Sequence, residues 1–99
     1  IAGVQQTSSI TPAAFLLKQN YPNPFNPTTK ISFSISKSSN TILKVYNTNG
    51  MEVETLVNQN LQAGEYSVDF KNTNLSSGIY FYTLTAGDFR ETKKMMLVK

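Results

Sequence analysis

The carboxylates are the first place to look for chemistry in this chain: Glu52, Glu54, Glu65, Asp69, Asp88 and Glu91. A hydrolase built on such groups needs two of them at a defined separation in a cleft. Glu65 and Asp69 alternate with Tyr66, Val68 and Phe70, so they fall on the outward face of one strand, and Asp88 sits in a tight turn beside Gly87. Solvated surface is the reading that these positions favour. The chain has no histidine and no cysteine. It therefore lacks thiol nucleophiles, imidazole bases, Ser–His triads and ordinary zinc ligands, and no Asp-rich loop has the spacing of a calcium site. No catalytic residue, metal or cofactor is assigned, and the expectation is a protein that is not an enzyme and has no small-molecule substrate.

Binding surfaces are the next possibility. Tyr66, Tyr80, Tyr82 and Phe81 could form an aromatic platform for sugars, as in a carbohydrate-binding or spacer module of a secreted enzyme. The three tyrosines, however, keep register with apolar neighbours on inward faces, where a buried ring takes a partner for its hydroxyl at the rim of the core. Phe81 is the aromatic expected at the surface. Asn74-Leu75-Ser76 matches a glycosylation sequon, a short pattern of high chance frequency. The net charge is +3 with scattered lysines, whereas a nucleic-acid partner calls for a dense basic stripe with exposed aromatics. The terminal run Lys93-Lys94-Met95-Met96-Leu97-Val98-Lys99 is either buried on both faces or apolar on an exposed one, with lysines that blunt edge-to-edge pairing.

The elements that position these groups are strands. Ile31, Phe33 and Ile35 point one way while Lys30, Ser32, Ser34 and Ser36 point the other, the period of a half-buried strand. Ahead of this strand lies Tyr21-Pro22-Asn23-Pro24-Phe25-Asn26-Pro27, expected to be a stiff extended lead-in, because proline fixes its own φ and pushes the residue before it toward extended geometry. Phe15-Leu16-Leu17 gives a short strand before it. Ile42–Asn47 follows, with Leu43 and Val45 on one face, and Asn49-Gly50 is a hairpin turn in which both residues take positive φ. Further strands are read over Met51–Val57, Glu65–Phe70, Ile79–Thr85 and Phe89–Lys99, the last pair joined by a Gly-first turn at Gly87-Asp88.

Seven short strands with turn signals about every ten residues predict an all-β, antiparallel immunoglobulin-like β-sandwich. The organisation expected is an extended N-terminal arm or linker over residues 1–14 and one domain over residues 15–99. Ninety-nine residues suffice for one modest core, and with no disulfide packing alone must hold it. The polar positions are mostly Ser, Thr and Asn, which suit strands and turns. The first residue is Ile1 rather than Met, the start expected after removal of a signal peptide or excision from a longer chain.

The ordered set Tyr21-Pro22-Asn23-Pro24-Phe25-Asn26-Pro27, Val45-Tyr46-Asn47 with Asn49-Gly50, Ala63-Gly64-Glu65-Tyr66, Ser77-Gly78-Ile79-Tyr80, and Lys93-Lys94 with Lys99 resembles the C-terminal sorting domain of type IX secretion cargo, found in Bacteroidetes and related bacteria. The resemblance covers residues 16–99. It implies an immunoglobulin-like module that escorts cargo across the outer membrane and is commonly cleaved by a sortase-like protease when cargo is attached to the surface. The location implied is secreted, at the extracellular or outer-membrane surface of a Gram-negative bacterium, and the partners are the outer-membrane secretion machinery and that protease. Carried over residue by residue, the positions read in export are Pro22, Asn23, Pro24, Gly64, Gly78, Tyr80, Lys94 and Lys99, the glycines chiefly as suppliers of turn geometry. Family members normally trail a larger cargo, and here only fourteen residues precede the domain.

The sequence supports an alternative, a self-assembling extracellular filament. Its subunits would donate the N-terminal arm as a strand to a neighbour's sheet, by main-chain hydrogen bonds with side chains in pockets, and head-to-tail contacts of this kind stay open. The contact residues would then be Ile1, Val4, Ile10 and Ala13, and identical subunits would be the partners. What residues 1–14 touch separates the two readings.

Overall fold

The computed structural model describes residues 3–99. Eight strands follow in order: β1 (Gln5–Ser8), β2 (Leu16–Leu17), β3 (Thr28–Ile35), β4 (Ser39–Tyr46), β5 (Glu52–Leu61), β6 (Gly64–Lys71), β7 (Gly78–Ala86) and β8 (Phe89–Leu97). They make two antiparallel four-stranded sheets, β1-β6-β3-β2 and β5-β4-β7-β8. The predicted sandwich is therefore observed, with one strand more than the turn signals give. That strand, β1, comes from the arm, where Gln5-Gln6-Thr7-Ser8 carries no apolar alternation to announce it.

Alternation builds the core. Ile31, Phe33 and Ile35 of β3 and Tyr66, Val68 and Phe70 of β6 meet Leu43 and Val45 of β4, Tyr80, Tyr82 and Leu84 of β7 and Met95 and Leu97 of β8, all buried. Sealing one such large side chain from water contributes about 1.5–3 kcal/mol. Phe33 stacks on Tyr66 at 5.7 Å, and Phe15 on Phe89 at 5.5 Å. The second pair closes one long side of the sandwich, between β2 and β8. Two tyrosines brace the strand starts in the same way: Tyr66 donates to the Gln62 carbonyl at 2.6 Å and Tyr80 to the Ser76 carbonyl at 2.7 Å. Each hydroxyl thus ties down the chain four residues upstream, as the tyrosine corner of a sandwich does.

Three local expectations are corrected. The proline segment is not an extended lead-in. Tyr21 and Lys30 exchange both main-chain hydrogen bonds, at 3.0 and 2.9 Å, so residues 21–30 form a closed loop, in which the peptide bonds before Pro22, Pro24 and Pro27 are cis. At Asn49-Gly50 only Gly50 has positive φ, at 81°. The Asn47 side chain accepts from the Asn49 and Met51 amides at 2.9 and 3.1 Å, which replaces the two-residue turn by a longer one with a single left-handed residue. Phe81 lies on an outer face as expected but is half-buried there, and the aromatic most exposed among the described residues is Tyr21, at 81%. The terminal run resolves to its second option: Met95 and Leu97 face the core, while Met96 and Val98 are exposed.

Candidate functional site

The candidate site is the place where the proline loop meets the last strand. Its foundation is a buried polar knot that the sequence did not mark. Asn20 donates through its side chain to the Pro22 carbonyl at 3.1 Å and to the Thr29 hydroxyl at 3.0 Å, and that hydroxyl donates to the same carbonyl at 2.9 Å. Both residues are buried, where an unpaired amide or hydroxyl costs several times what a surface one does. Tyr82 completes the knot from β7. Its hydroxyl accepts the Asn20 amide and donates to the Lys18 carbonyl, both at 2.8 Å. Burial pushes this phenol up to about 12, against the opposing effect of the Asn20 hydrogen bond, with the Glu91 charge adding to the rise.

Thus anchored, the loop lays itself along the free edge of β8. The Phe25 amide donates to the Met96 carbonyl and the Val98 amide donates to the Phe25 carbonyl, each at 2.9 Å, a short parallel pairing of Phe25 with Leu97. Asn23 Oδ1 accepts the Met96 amide at 3.1 Å, and Gln19 donates to the Lys94 carbonyl at 2.7 Å. The Phe25 ring is driven inward, 1% exposed, edge-on to Phe70 at 5.9 Å. Between loop and strand lies a groove of about 230 Å³, lined by Asn23, Pro24, Ile79, Lys94, Met95 and Met96.

The structure brings together several of the residues expected from the sequence. Pro22, Asn23 and Pro24 are exposed on the loop, and Lys94 is exposed across the groove from Asn23 and Pro24. Gly78 starts β7 opposite Leu97, and Lys99 lies at the same end, its amide held by the Ser77 hydroxyl and its ammonium by the Thr73 carbonyl, both at 2.9 Å. Tyr80 is buried beneath this surface, opposite Met95. Gly64 stands apart. It pairs with Ile35 at the end of β3 remote from the loop, where a Cβ would collide with the Gln6 side chain and lie 2.8 Å from the Ser8 carbonyl. That close approach is what lets β1 pack against β6.

The arm is paired within its own chain. Gln5 and Gln6 face Ser67 and Tyr66 of β6, Val4 packs against the core margin, and Ile10 and Ala13 are exposed in the connection to β2. Ile1 lies outside the described residues. Donation to a neighbour would thus require β1 to leave β6 first. Of the carboxylates, Asp69 pairs with Lys30 at 3.1 Å, Glu52 with Lys44 at 3.2 Å and Glu91 with Lys93 at 3.3 Å. The Thr55 hydroxyl and then Lys44 hold the Glu52 carboxyl below its ordinary value.

Asn20, Thr29 and Met96 are contributors that sequence reasoning missed, whereas Tyr82 was read only as an inward ring with a partner for its hydroxyl. Met96 was legible as the outward member of the terminal run, but an Asn–Thr pair nine residues apart has no pattern to reveal it.

Over residues 19–99 the chain matches the secretion system C-terminal sorting domain, and it belongs to that family. No curated protein and no solved structure matches it. It is accordingly a sorting module of the type IX secretion system, part of a protein exported across the outer membrane, and it engages that secretion machinery.

Proposed function

We propose that this member of the sorting-domain family is read at the surface where the proline loop joins β8, with Pro22, Asn23, Pro24 and Lys94 as contacts. Gly64, Gly78 and Tyr80 act as supports of that surface, and Lys99 fastens its far end. The recognised signal is then a folded surface and not a linear tail. After passage across the outer membrane a sortase-like protease removes the domain and the cargo is attached at the cell surface.

The observation that carries this reading is the pair of main-chain bonds between Phe25 and β8. They join the two parts of the chain that resemble export motifs into one object, although some seventy residues separate them in sequence. A signal composed in this way exists only after folding.

The test is a reporter enzyme fused ahead of residues 1–99 in a bacterium with a type IX apparatus. Replacing Asn23, Pro24 and Lys94 together by Ala, Ser and Glu should leave the domain folded by circular dichroism and retain the reporter in the periplasm. Undiminished export of that folded variant would sink the proposal.

A further inference from the structure

The two sheets present unlike faces to solvent. Residues directly opposite one another on neighbouring strands share a face, so each outer face can be read from the pairings. In the β1-β6-β3-β2 sheet, Lys30 lies opposite Asp69, Ser32 opposite Ser67 and Ser34 opposite Glu65, and Lys30 and Asp69 neutralise one another. That face is balanced in charge, with Leu16 opposite Ser34 and Tyr21 opposite Lys30 as its exposed apolar side chains at the proline-loop side. In the β5-β4-β7-β8 sheet, Tyr46 lies opposite Phe81 and Phe81 opposite Lys94, Ile79 opposite Met96, and Ile42 opposite Thr85, which faces Arg90. Tyr46, Phe81, Ile79 and Met96 make an apolar stripe across three strands, the first three part-exposed and Met96 41% exposed. The row Lys44, Thr83 and Thr92 separates it from a part-exposed Ile42.

Charge on this second face is one-sided. Its single carboxylate, Glu52 opposite Tyr46, is taken by Lys44 and the Thr55 hydroxyl. Arg90 and Lys94 have no ion-pair partner among the described residues. Both are exposed on β8, and Lys94 stands at the groove that Pro24, Ile79 and Met96 line. Apolar surface beside unpaired cations is complementary to apolar side chains beside carboxylates, an arrangement that sets register and excludes wrong partners.

We propose that the outer face of the β5-β4-β7-β8 sheet docks an acidic protein segment, with an apolar side chain in the Pro24–Met96 groove and carboxylates on Lys94 and Arg90. This rests on the sorting reading for its biological partner and extends it from the groove to the whole sheet face. Two free cations are too few for a membrane surface, whose recognition takes clusters of about four to eight basic residues. A protein segment, which supplies its carboxylates at fixed spacing, suits them better.

The experiment is fluorescence anisotropy of the intact domain with a fluorescein-labelled peptide of repeating Glu-Glu-Leu-Leu, against Lys-Lys-Leu-Leu and Glu-Glu-Ser-Ser peptides and phosphatidylglycerol vesicles. The acidic apolar peptide should bind and weaken with added salt. Lys94→Glu and Arg90→Glu should each lower its affinity about tenfold while Lys71→Glu, on the opposite face, leaves it unchanged. Each variant's thermal midpoint serves as the folding control, and two independent charge reversals guard against the failure of one to fold. No binding of the Glu-Glu-Leu-Leu peptide, equal binding of the Lys-Lys-Leu-Leu or Glu-Glu-Ser-Ser peptide, indifference to both reversals, or tighter binding to vesicles would each overturn the proposal. The export assay is separate. The folded variant at Asn23, Pro24 and Lys94 should lose the peptide, because those residues line the groove. Peptide binding kept by that variant counts against this surface, and normal export counts against the sorting reading alone.

Discussion

β8 and β5 are the two edges of one sheet, nearly equal in length, and the molecule treats them differently. At β8 the proline loop takes up the main-chain groups of Met96 and Val98, and Gln19 takes up the Lys94 carbonyl. At β5 no main-chain bond from outside the sheet reaches the free edge among the described residues. Its first half carries Glu52 and Glu54 and two register shifts, the usual deterrents to edge pairing. Its second half, Val57-Asn58-Gln59-Asn60-Leu61, is regular and uncharged. The Lys94–Val98 part of the β8 edge is sealed by chain, and the β5 edge is guarded only by side chains. A sealed edge offers a partner side chains alone, so the recognition proposed at β8 would fall to the loop and to the sheet face.

If the seal is structural, breaking it should cost most where it is buried deepest. Phe25→Ala removes a ring that is 1% exposed and packed on Phe70, and leaves a cavity under the loop. The expected loss is about 3–5 kcal/mol, on the order of a third or more of the stability of a small domain. Urea unfolding measures it. A loss below 1 kcal/mol would mean that the loop rests on β8 without holding it.

The knot beneath the loop comes next. Tyr82→Phe strips away the hydroxyl that serves both the Asn20 amide and the Lys18 carbonyl, leaving a buried donor and a part-buried acceptor unpaired for about 1–3 kcal/mol. The pH dependence has a definite sign. With its pKa raised from 10 to about 12 in the folded state, Tyr82 keeps its proton in the native protein while the unfolded chain releases it. Stability from this group is complete below pH 10 and declines as pH rises from 10 through about 12. Stability curves of the wild type and of Tyr82→Phe should therefore converge over that range, and parallel curves would refute the assignment.

The contrast between the edges also explains what could be read in advance. Strand positions and the inward set Ile31, Phe33, Leu43, Val45, Val68, Phe70, Tyr82 and Leu84 followed from period-2 alternation, a local property of each strand. The proline loop's path did not. It depends on Asn20 meeting Thr29 and Phe25 meeting Leu97, contacts between distant residues that no periodicity encodes. β1 escaped for a related reason: Gln5–Ser8 is exposed or half-buried along its length, so main-chain pairing with β6 alone makes it a strand. In the candidate site, the proposed contacts Pro22, Asn23, Pro24 and Lys94 were visible as motifs, whereas the polar knot beneath the loop was not.

At the rim of the seal the effect should shrink. Asn23→Ala removes the acceptor of the Met96 amide at an exposed position, where water can substitute, so a loss of about 0.5–1 kcal/mol is expected. Hydrogen exchange sharpens this test, since the Met96 amide should quicken while that of Val98, bonded to the Phe25 carbonyl, stays slow. Equal quickening of both would mean that Asn23 supports the whole loop and not one bond.

The smallest effect belongs to the open edge. Asn58 is exposed and lies within the uncharged half of β5, opposite Ile42, so Asn58→Lys adds a charge where nothing must be displaced. Stability should change by no more than about 0.5 kcal/mol. Association at high concentration should fall, because a lysine in mid-edge opposes strand-to-strand pairing. Light scattering across a concentration series reads the second effect, and urea unfolding the first. A loss of stability as large as that of Asn23→Ala would mean that β5 is covered as β8 is. Unchanged association would place any self-contact away from this edge. The same substitution at a sealed edge would have to break bonds before it could repel a neighbour, and that difference in order is what distinguishes an edge held shut from one kept apart by charge.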